Sequence, residues 1–201
     1  MNTRSNAPIA PSRKASAPRA LRRDAQRSVD ALLAAARELF ATKGVDATTR
    51  EIADQAGVGM GTLYRRFPRK ADLIGAVFQD EMNACARAAT TIAKEHPPFA
   101  ALAKWMQVYV DLIGTKRGFA KAVSSDDPVY TGMSEHFNQH LLPAARALCD
   151  AAVAAGEVRP DLDPAEILSA VSTLCMSTYN ERPDHASRMV ALLVEGLRLP
   201  D

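Results

Sequence analysis

Between Thr48 and Pro68 the chain reads TTREIADQAGVGMGTLYRRFP, and helix-start and helix-stop signals lie so close together in it that few backbones satisfy them all. Thr48 and Glu51 form a capping-box pattern, in which the threonine hydroxyl accepts from the Glu51 backbone N–H while the carboxylate reaches back to the Thr48 N–H. Ile52, Ala53 and Ala56 follow at helical spacing. Gly57 is placed to end that helix, because glycine takes the left-handed conformation without steric cost. Pro68 ends whatever begins near Met60, since proline cannot continue a helical hydrogen-bond ladder. The segment therefore predicts a helix from Thr48, a tight turn, and a short helix over about Met60–Arg66 with Leu63 and Phe67 turned inward.

Glycines at 57, 59 and 61 raise the alternative of a phosphate loop. A dinucleotide loop needs G-x-G-x-x-G directly after a buried strand. Here the spacing is G-x-G-x-G and the preceding residues have helical spacing. A G-x-x-x-x-G-K-[ST] pattern is also absent from the sequence, so the nucleotide-loop reading has both spacing and context against it.

Upstream, Val29, Leu32, Leu33, Ala36 and Phe40 form one apolar stripe on a helix that begins near Ser28 and that Gly44 closes. The order is then helix, helix, tight turn, helix, which is that of a helix-turn-helix unit whose second helix lies in the DNA major groove. Charge agrees with this. The formal net charge is only +2, yet residues 1–70 hold 14 Lys and Arg against 6 Asp and Glu, while residues 71–201 hold 11 against 17. A basic first third joined to an acidic remainder suits a protein that meets a polyanion at one end.

Beyond Lys70 the helices lengthen. One runs from there to the stop at Pro97-Pro98. The next, over 99–123, is apolar on two sides and belongs in the middle of a bundle. Ser124–Pro128 reads as a loop, 134–155 as a helix with a kink expected at Pro143 and a stop at Gly156, and Ala165–Tyr179 and Asp184–Leu199 as the last two helices. No segment reads as a strand. Residues 1–24 mix Pro, Ser, Ala and Arg with little to bury and are expected to form a disordered basic arm, either a plain terminus or one that touches DNA. No apolar stretch approaches the roughly 18 residues of a membrane span, and no apolar core follows the basic N-terminus as in a signal peptide. The three cysteines, Cys85, Cys149 and Cys175, are widely separated and offer neither a disulfide framework nor a metal clip, so a cytoplasmic setting is expected.

Residues 28–80 resemble the DNA-binding end of the TetR (tetracycline repressor) family of transcriptional regulators, chiefly through LLAAARELFATKGVDATTREIADQAGVGMGTLYRRFPRKADLIGAVF and its core Gly61-Thr-Leu-Tyr-Arg-Arg-Phe-Pro-Arg-Lys70. The resemblance implies an all-α protein of about nine helices: a helix-turn-helix domain over 25–72, then an effector-binding and dimerisation domain over 73–201. It places Thr49 and Arg50 where relatives touch phosphate or a base. Thr62, Tyr64 and Lys70 match the usual phosphate contacts, and Gly59, Met60, Gly61 and Arg66 fall on the reading face. It further implies a homodimer built through the last two helices (165–199), a double-stranded palindromic operator, and release by a small-molecule effector.

Residue chemistry supports several of these positions. Glycines let the backbone come close to DNA, and hydroxyl and guanidinium groups suit phosphates and guanine edges. Tyr64 is expected outward, because Leu63 and Phe67 already fill the inward positions. Arg65 and Arg66 stand either as contacts or as solvated charges. Lys70 opens the next helix, whose positive end already repels a cation, and so suggests a phosphate partner. Arg69 departs from the family pattern, which often has a small polar cap there.

Trp105, Met106, Tyr109, Phe137, His140 and Met176 stand either as the lining of an effector pocket or as ordinary core. His136 and His140, four residues apart, lack the acidic partner of an H-E-x-x-H metal site. No nucleophile motif surrounds Ser124, Ser125 or Ser134. The expectation is a DNA-binding transcriptional regulator, a ligand-released repressor, with no enzyme activity, cofactor or metal; the alternative is an architectural or protein-interaction module that binds DNA without specificity.

Overall fold

The computed structural model describes residues 17–120, 127–178 and 183–199. Nine α-helical segments lie among them: α1 (Ala17–Lys43), α2 (Thr49–Ala56), α3 (Met60–Arg66), α4 (Lys70–Glu95), α5 (Pro98–Ala120), α6 (Pro128–His136), α7 (Leu142–Ala154), α8 (Pro164–Thr178) and α9 (Pro183–Glu195). Because α6 runs into α7 through a π turn over Phe137–Leu141, eight separate rods result. The described residues contain no strand, only an isolated antiparallel bridge between Val158 and Arg198.

The first three helices form a small unit around Leu32, Ala36, Phe40, Ile52, Leu63 and Phe67, all buried. A turn of 3-10 helix over Gly44–Asp46 joins α1 to α2. The capping box at Thr48 is formed, and Gly57 ends α2 with φ 65°. The unit's own bonds close the turn, with Val58 N–H donating to the Ala53 carbonyl at 2.9 Å. Phe67 caps α3 by donating its N–H to the Leu63 carbonyl.

Helix α5 is the centre of the second unit and packs against α4, α7, α8 and α9. It is buried on both of its apolar stripes, as Leu102, Trp105, Met106, Tyr109, Val110 and Ile113 demonstrate. The Trp105 indole N–H donates to the Cys85 carbonyl at 2.8 Å, which satisfies the one polar group that so large a buried ring carries. The three cysteines are buried and form no disulfide among the described residues. At the far end, Leu199 N–H donates to the Glu157 carbonyl at 3.2 Å, a Glu157 carboxylate oxygen accepts from Phe99 N–H at 2.8 Å, and Arg198 lies 4.1 Å from the Phe99 ring centroid. The tail after α9 is thereby strapped to the start of α5.

Several boundaries differ from the sequence reading. Helix α1 begins at Ala17, within the stretch expected to be an arm: Ala and Arg are strong helix formers and need no apolar stripe to continue a helix that is already packed further along. The rest of the expected arm, residues 1–16, lies outside the described residues, as do Ser124–Asp126 of the expected loop. A helix starts at Pro128, earlier than expected, because Asp127 accepts from the Val129 N–H at 2.9 Å and so acts as its N-cap. The kink expected at Pro143 takes the form of the π turn, in which Leu142 N–H reaches back to Phe137. Since Pro143 has no N–H to give, the wider turn re-routes the ladder just ahead of it.

Candidate functional site

Two features lie along α4, one at its first turn and one near its middle. The first is the outer face of α2 and α3. Leu63 and Phe67 face inward and are buried, which rotates Tyr64, Arg65 and Arg66 outward; Tyr64 is 48% exposed. Its hydroxyl lies 3.2 Å from the Thr49 hydroxyl, so the first turn of α2 fixes where the phenol points. Arg50, next to Thr49, is exposed. Thr62 is half-buried beside this group, and Lys70 occupies the first position of α4 and is also half-buried.

Gly59 and Gly61 are exposed, and a Cβ built on either would meet nothing within 4 Å. Neither has a positive φ. Internal packing and backbone conformation thus leave both positions free to carry a side chain, and the absence of one leaves the surface open to close approach from outside. Met60, the first residue of α3, is half-buried and packed against the core. On the outer surface of α2 and α3, Thr49 meets Tyr64 and Arg50, Gly59, Gly61 and Arg66 are exposed, with Thr62 and Lys70 half-buried.

Arg69 does not project towards that surface. Its guanidinium pairs with Asp72 at 2.5 Å and with Asp127 at 2.9 Å, and Asp72 also accepts from the Arg69 backbone N–H at 2.9 Å. These bonds, Asp72 first, raise the guanidinium pKa further above its ordinary value. Asp72 supplies the cap that the arginine side chain, having no acceptor, cannot. Asp127 caps α6, so Arg69 joins the first turn of α4 to the first turn of α6. Nearby, Gly75 meets α6 so closely that a Cβ would stand 2.5 Å from Val129 Cγ1.

The second feature is a partly open cavity of about 300 Å³ bounded by α4, α5, α6, the π turn and α8. Phe78 and Met82 of α4, Leu112 and Ile113 of α5 and Leu168 of α8 make its apolar wall. Tyr109, Ser134, Asn138, Ser169 and Ser172 supply polar groups. The Tyr109 and Ser172 hydroxyls share a hydrogen bond of 2.9 Å. Burial pushes the Tyr109 phenol up to about 12 and outweighs the lowering effect of Ser172, so it is neutral in the physiological range.

Of the residues expected to line a pocket, Tyr109 and Phe137 do so. Trp105 and Met106 do not: they sit in the core behind it, with the Trp105 ring stacked on Tyr109 at 5.9 Å, because the doubly buried α5 turns those positions towards other helices. His140 is exposed and stands over His136, with ring centroids 4.2 Å apart. His136 Nε2 is 2.8 Å from Asn83 Oδ1, and burial, then the neighbouring His140, lowers its pKa. The Met176 side chain lies outside the described residues. No group of three or more His, Cys, Asp or Glu among the described residues is arranged to hold a metal, and no helix among them is long and apolar enough to cross a membrane. Phe78, Met82, Met133 and Leu168 also line the cavity, and nothing in their sequence pattern separates them from other apolar helix positions. Sequence reasoning missed Ser169 and Ser172, whose spacing on an otherwise apolar stripe was a usable signal.

A basic helix-turn-helix unit mounted on a helical body with a cavity defines a DNA-binding transcriptional regulator. Residues 32–77 match the bacterial regulatory proteins of the tetR family, and residues 97–199 match the C-terminal domain of SbtR-like transcriptional regulators. A TetR transcriptional regulator from Streptomyces coelicolor is 34% identical, with 86% of this chain and 99% of that chain covered and a TM-score of 0.70. A TetR transcription regulatory protein from Mycobacterium vanbaalenii is 31% identical, over 89% of this chain and 99% of that one, with a TM-score of 0.66. The chain belongs to the TetR family. An HTH-type transcriptional regulator of Staphylococcus aureus is 39% identical over 64 residues, 31% of this chain and 35% of the relative; the chain spans about a third of the length of the curated relatives it matches.

Proposed function

We propose that the protein is a repressor that binds a palindromic operator as a homodimer and releases it when a small molecule fills the cavity. The observation that carries this reading is the pairing, along one helix, of an outward α3 face at the first turn of α4 with a cavity wall, Phe78 and Met82, further along it. In this reading Thr49, Thr62, Tyr64 and Lys70 hold phosphates, Arg50 and Arg66 reach phosphate or base edges, and Gly59 and Gly61 let the backbone close on the groove. Met60 presents only its outer edge. Two copies are needed because one seven-residue reading helix makes too little contact, whereas two half-sites roughly one helical turn apart double it.

The last two helices pair with their twins. Support comes from Leu192 on α9, a large apolar side chain that is 65% exposed and gains if a partner copy covers it. Ligand shifts the population towards a body shape whose reading helices no longer match the groove spacing.

Footprinting upstream of the protein's own gene, at salt concentrations that strip random DNA, tests the reading. One protected palindrome is expected; equal affinity for scrambled duplex would replace the repressor with a non-specific DNA-binding module. Lys70→Ala should lower affinity for all sequences and reduce the slope of log affinity against log salt by about 1. Tyr64→Phe should cost about 1 kcal/mol of binding across sequences, and Arg66→Ala should change which bases are preferred.

A further inference from the structure

Three of the cavity's five polar groups belong to α5 and α8, and the other two, Ser134 and Asn138, lie on α6 and the π turn. Tyr109 on α5 and Ser169 and Ser172 on α8 converge on one side, and Phe78, Met82, Leu112 and Ile113 fill much of the remainder. Tyr109 is 1% exposed, so its hydroxyl cannot turn to bulk water. The one bond it shares with Ser172 uses a single proton of the two that the hydroxyls hold, which leaves the pair with a spare donor and spare lone pairs. The Ser169 side chain has no hydrogen-bond partner among the described residues, and its backbone carbonyl already accepts from Thr173 at 2.9 Å. Ser172 is half-buried and Ser169 exposed, so the buried Tyr109 phenol and its Ser172 partner are the pair whose unused hydrogen-bonding capacity gains from a ligand oxygen.

None of the described lining residues carries a charge. An ionised group carried to the buried Tyr109 end would therefore leave water without a counter-ion, at a penalty that its apolar contacts could not offset. The volume, about 300 Å³, is at the lower end of ligand pockets, roughly 300–1,000 Å³, and suits a compact skeleton.

From this geometry we infer that the ligand is an uncharged, compact, largely apolar molecule with a hydroxyl or carbonyl oxygen at one end, read by the Tyr109–Ser172 pair with Ser169 alongside. The inference rests on the cavity being the effector site. Tyr109 and Ser172 are then the residues that set specificity. A site that hydrogen-bonds a ligand oxygen discriminates strongly against the analogue that lacks it, because the site's own hydroxyls are left unmatched.

Four probes on one skeleton test it with the full chain: 4-phenylbutan-1-ol, butylbenzene, 4-phenylbutanoate and 4-phenylbutylammonium, each titrated calorimetrically. The alcohol should bind at least tenfold more tightly than either ion. Ser172→Ala and Tyr109→Phe should each weaken the alcohol by about tenfold and leave butylbenzene within about twofold, the second probe reporting that the cavity is still formed. An ion that binds as tightly as the alcohol, variants that treat alcohol and hydrocarbon alike, or no binding by any probe would overturn the inference. Failure of the effector reading looks different: the alcohol binds as expected and the variants discriminate, yet saturating alcohol leaves the protected palindrome occupied. Release of the palindrome by one of the ions would keep the effector reading and remove the ligand class.

Discussion

At the scale of single residues, the junction of α1 and α2 depends on Glu51. Lys43 Nζ pairs with one of its oxygens at 2.6 Å, the other accepts from the Thr48 N–H at 2.8 Å, and these bonds, Lys43 first, hold its carboxyl down to about 2 from an ordinary 4.5. A carboxyl whose pKa falls on folding stabilises only while ionised. Its contribution is complete above about 4.5 and is lost as the pH drops towards 2. Glu51→Gln should therefore lower the melting temperature of the protein at pH 7, and the melting curves of variant and parent should converge towards pH 2; a constant gap across that window would mean that the charge is not the cause. Both ends of α2 were legible in the sequence because their chemistry is local: Thr48 and Glu51 are three residues apart, and Gly57 needs only its own backbone. The direction of Tyr64 was legible too, by exclusion from the positions that Leu63 and Phe67 take. The fixing of Tyr64 by Thr49 was not, since their hydroxyls meet only once α2 and α3 are packed.

At the scale of elements, α4 and α6 are tied by Arg69. The sequence marks this arginine as an odd residue at a helix start, and nothing local says that its partner is Asp127, far along the chain. Removing the tie should loosen the body from the reading unit without touching either surface. Arg69→Ala should bind a cavity ligand as the parent does, while the ligand's effect on operator affinity falls about fivefold or more. Operator affinity measured with and without saturating ligand checks this, and an unchanged ratio would show that the coupling runs elsewhere. The start of α6 was a lost opportunity, because Asp127 followed by Pro128 is itself a helix-start signal. The π turn could not be read: Pro143 announces a disturbance, but whether the chain bends or widens depends on what packs beside it.

At the scale of the whole molecule, α8 has two edges to serve. It supplies Leu168, Ser169 and Ser172 to the cavity and, with α9, forms the proposed pairing surface. Leu192→Glu should weaken self-association roughly ten- to a hundredfold, as expected for loss of one buried leucine, measured by sedimentation, and operator affinity should fall with it; a variant that stays paired would move the interface off α9. The all-helical fold and the reading unit were legible because amphipathic periodicity and caps are written along the chain. The cavity was half legible. Tyr109 and Phe137 were found, whereas Trp105 and Met106 share their apolar character and differ only in which neighbouring helix they face, a property of the assembled bundle.

The closeness of α4 and α6 at Gly75 has a genetic consequence. Every missense change at that codon adds at least one carbon where Val129 Cγ1 would be 2.5 Å away, so every such allele forces Val129 or the helix that carries it to shift. On the repressor reading, a search for mutants that express the controlled genes with no inducer present should recover Gly75 alleles of many kinds, and Gly75→Ala alone should weaken operator binding in the ligand-free protein. The position would act as a wedge point, where adding matter mimics the signal itself.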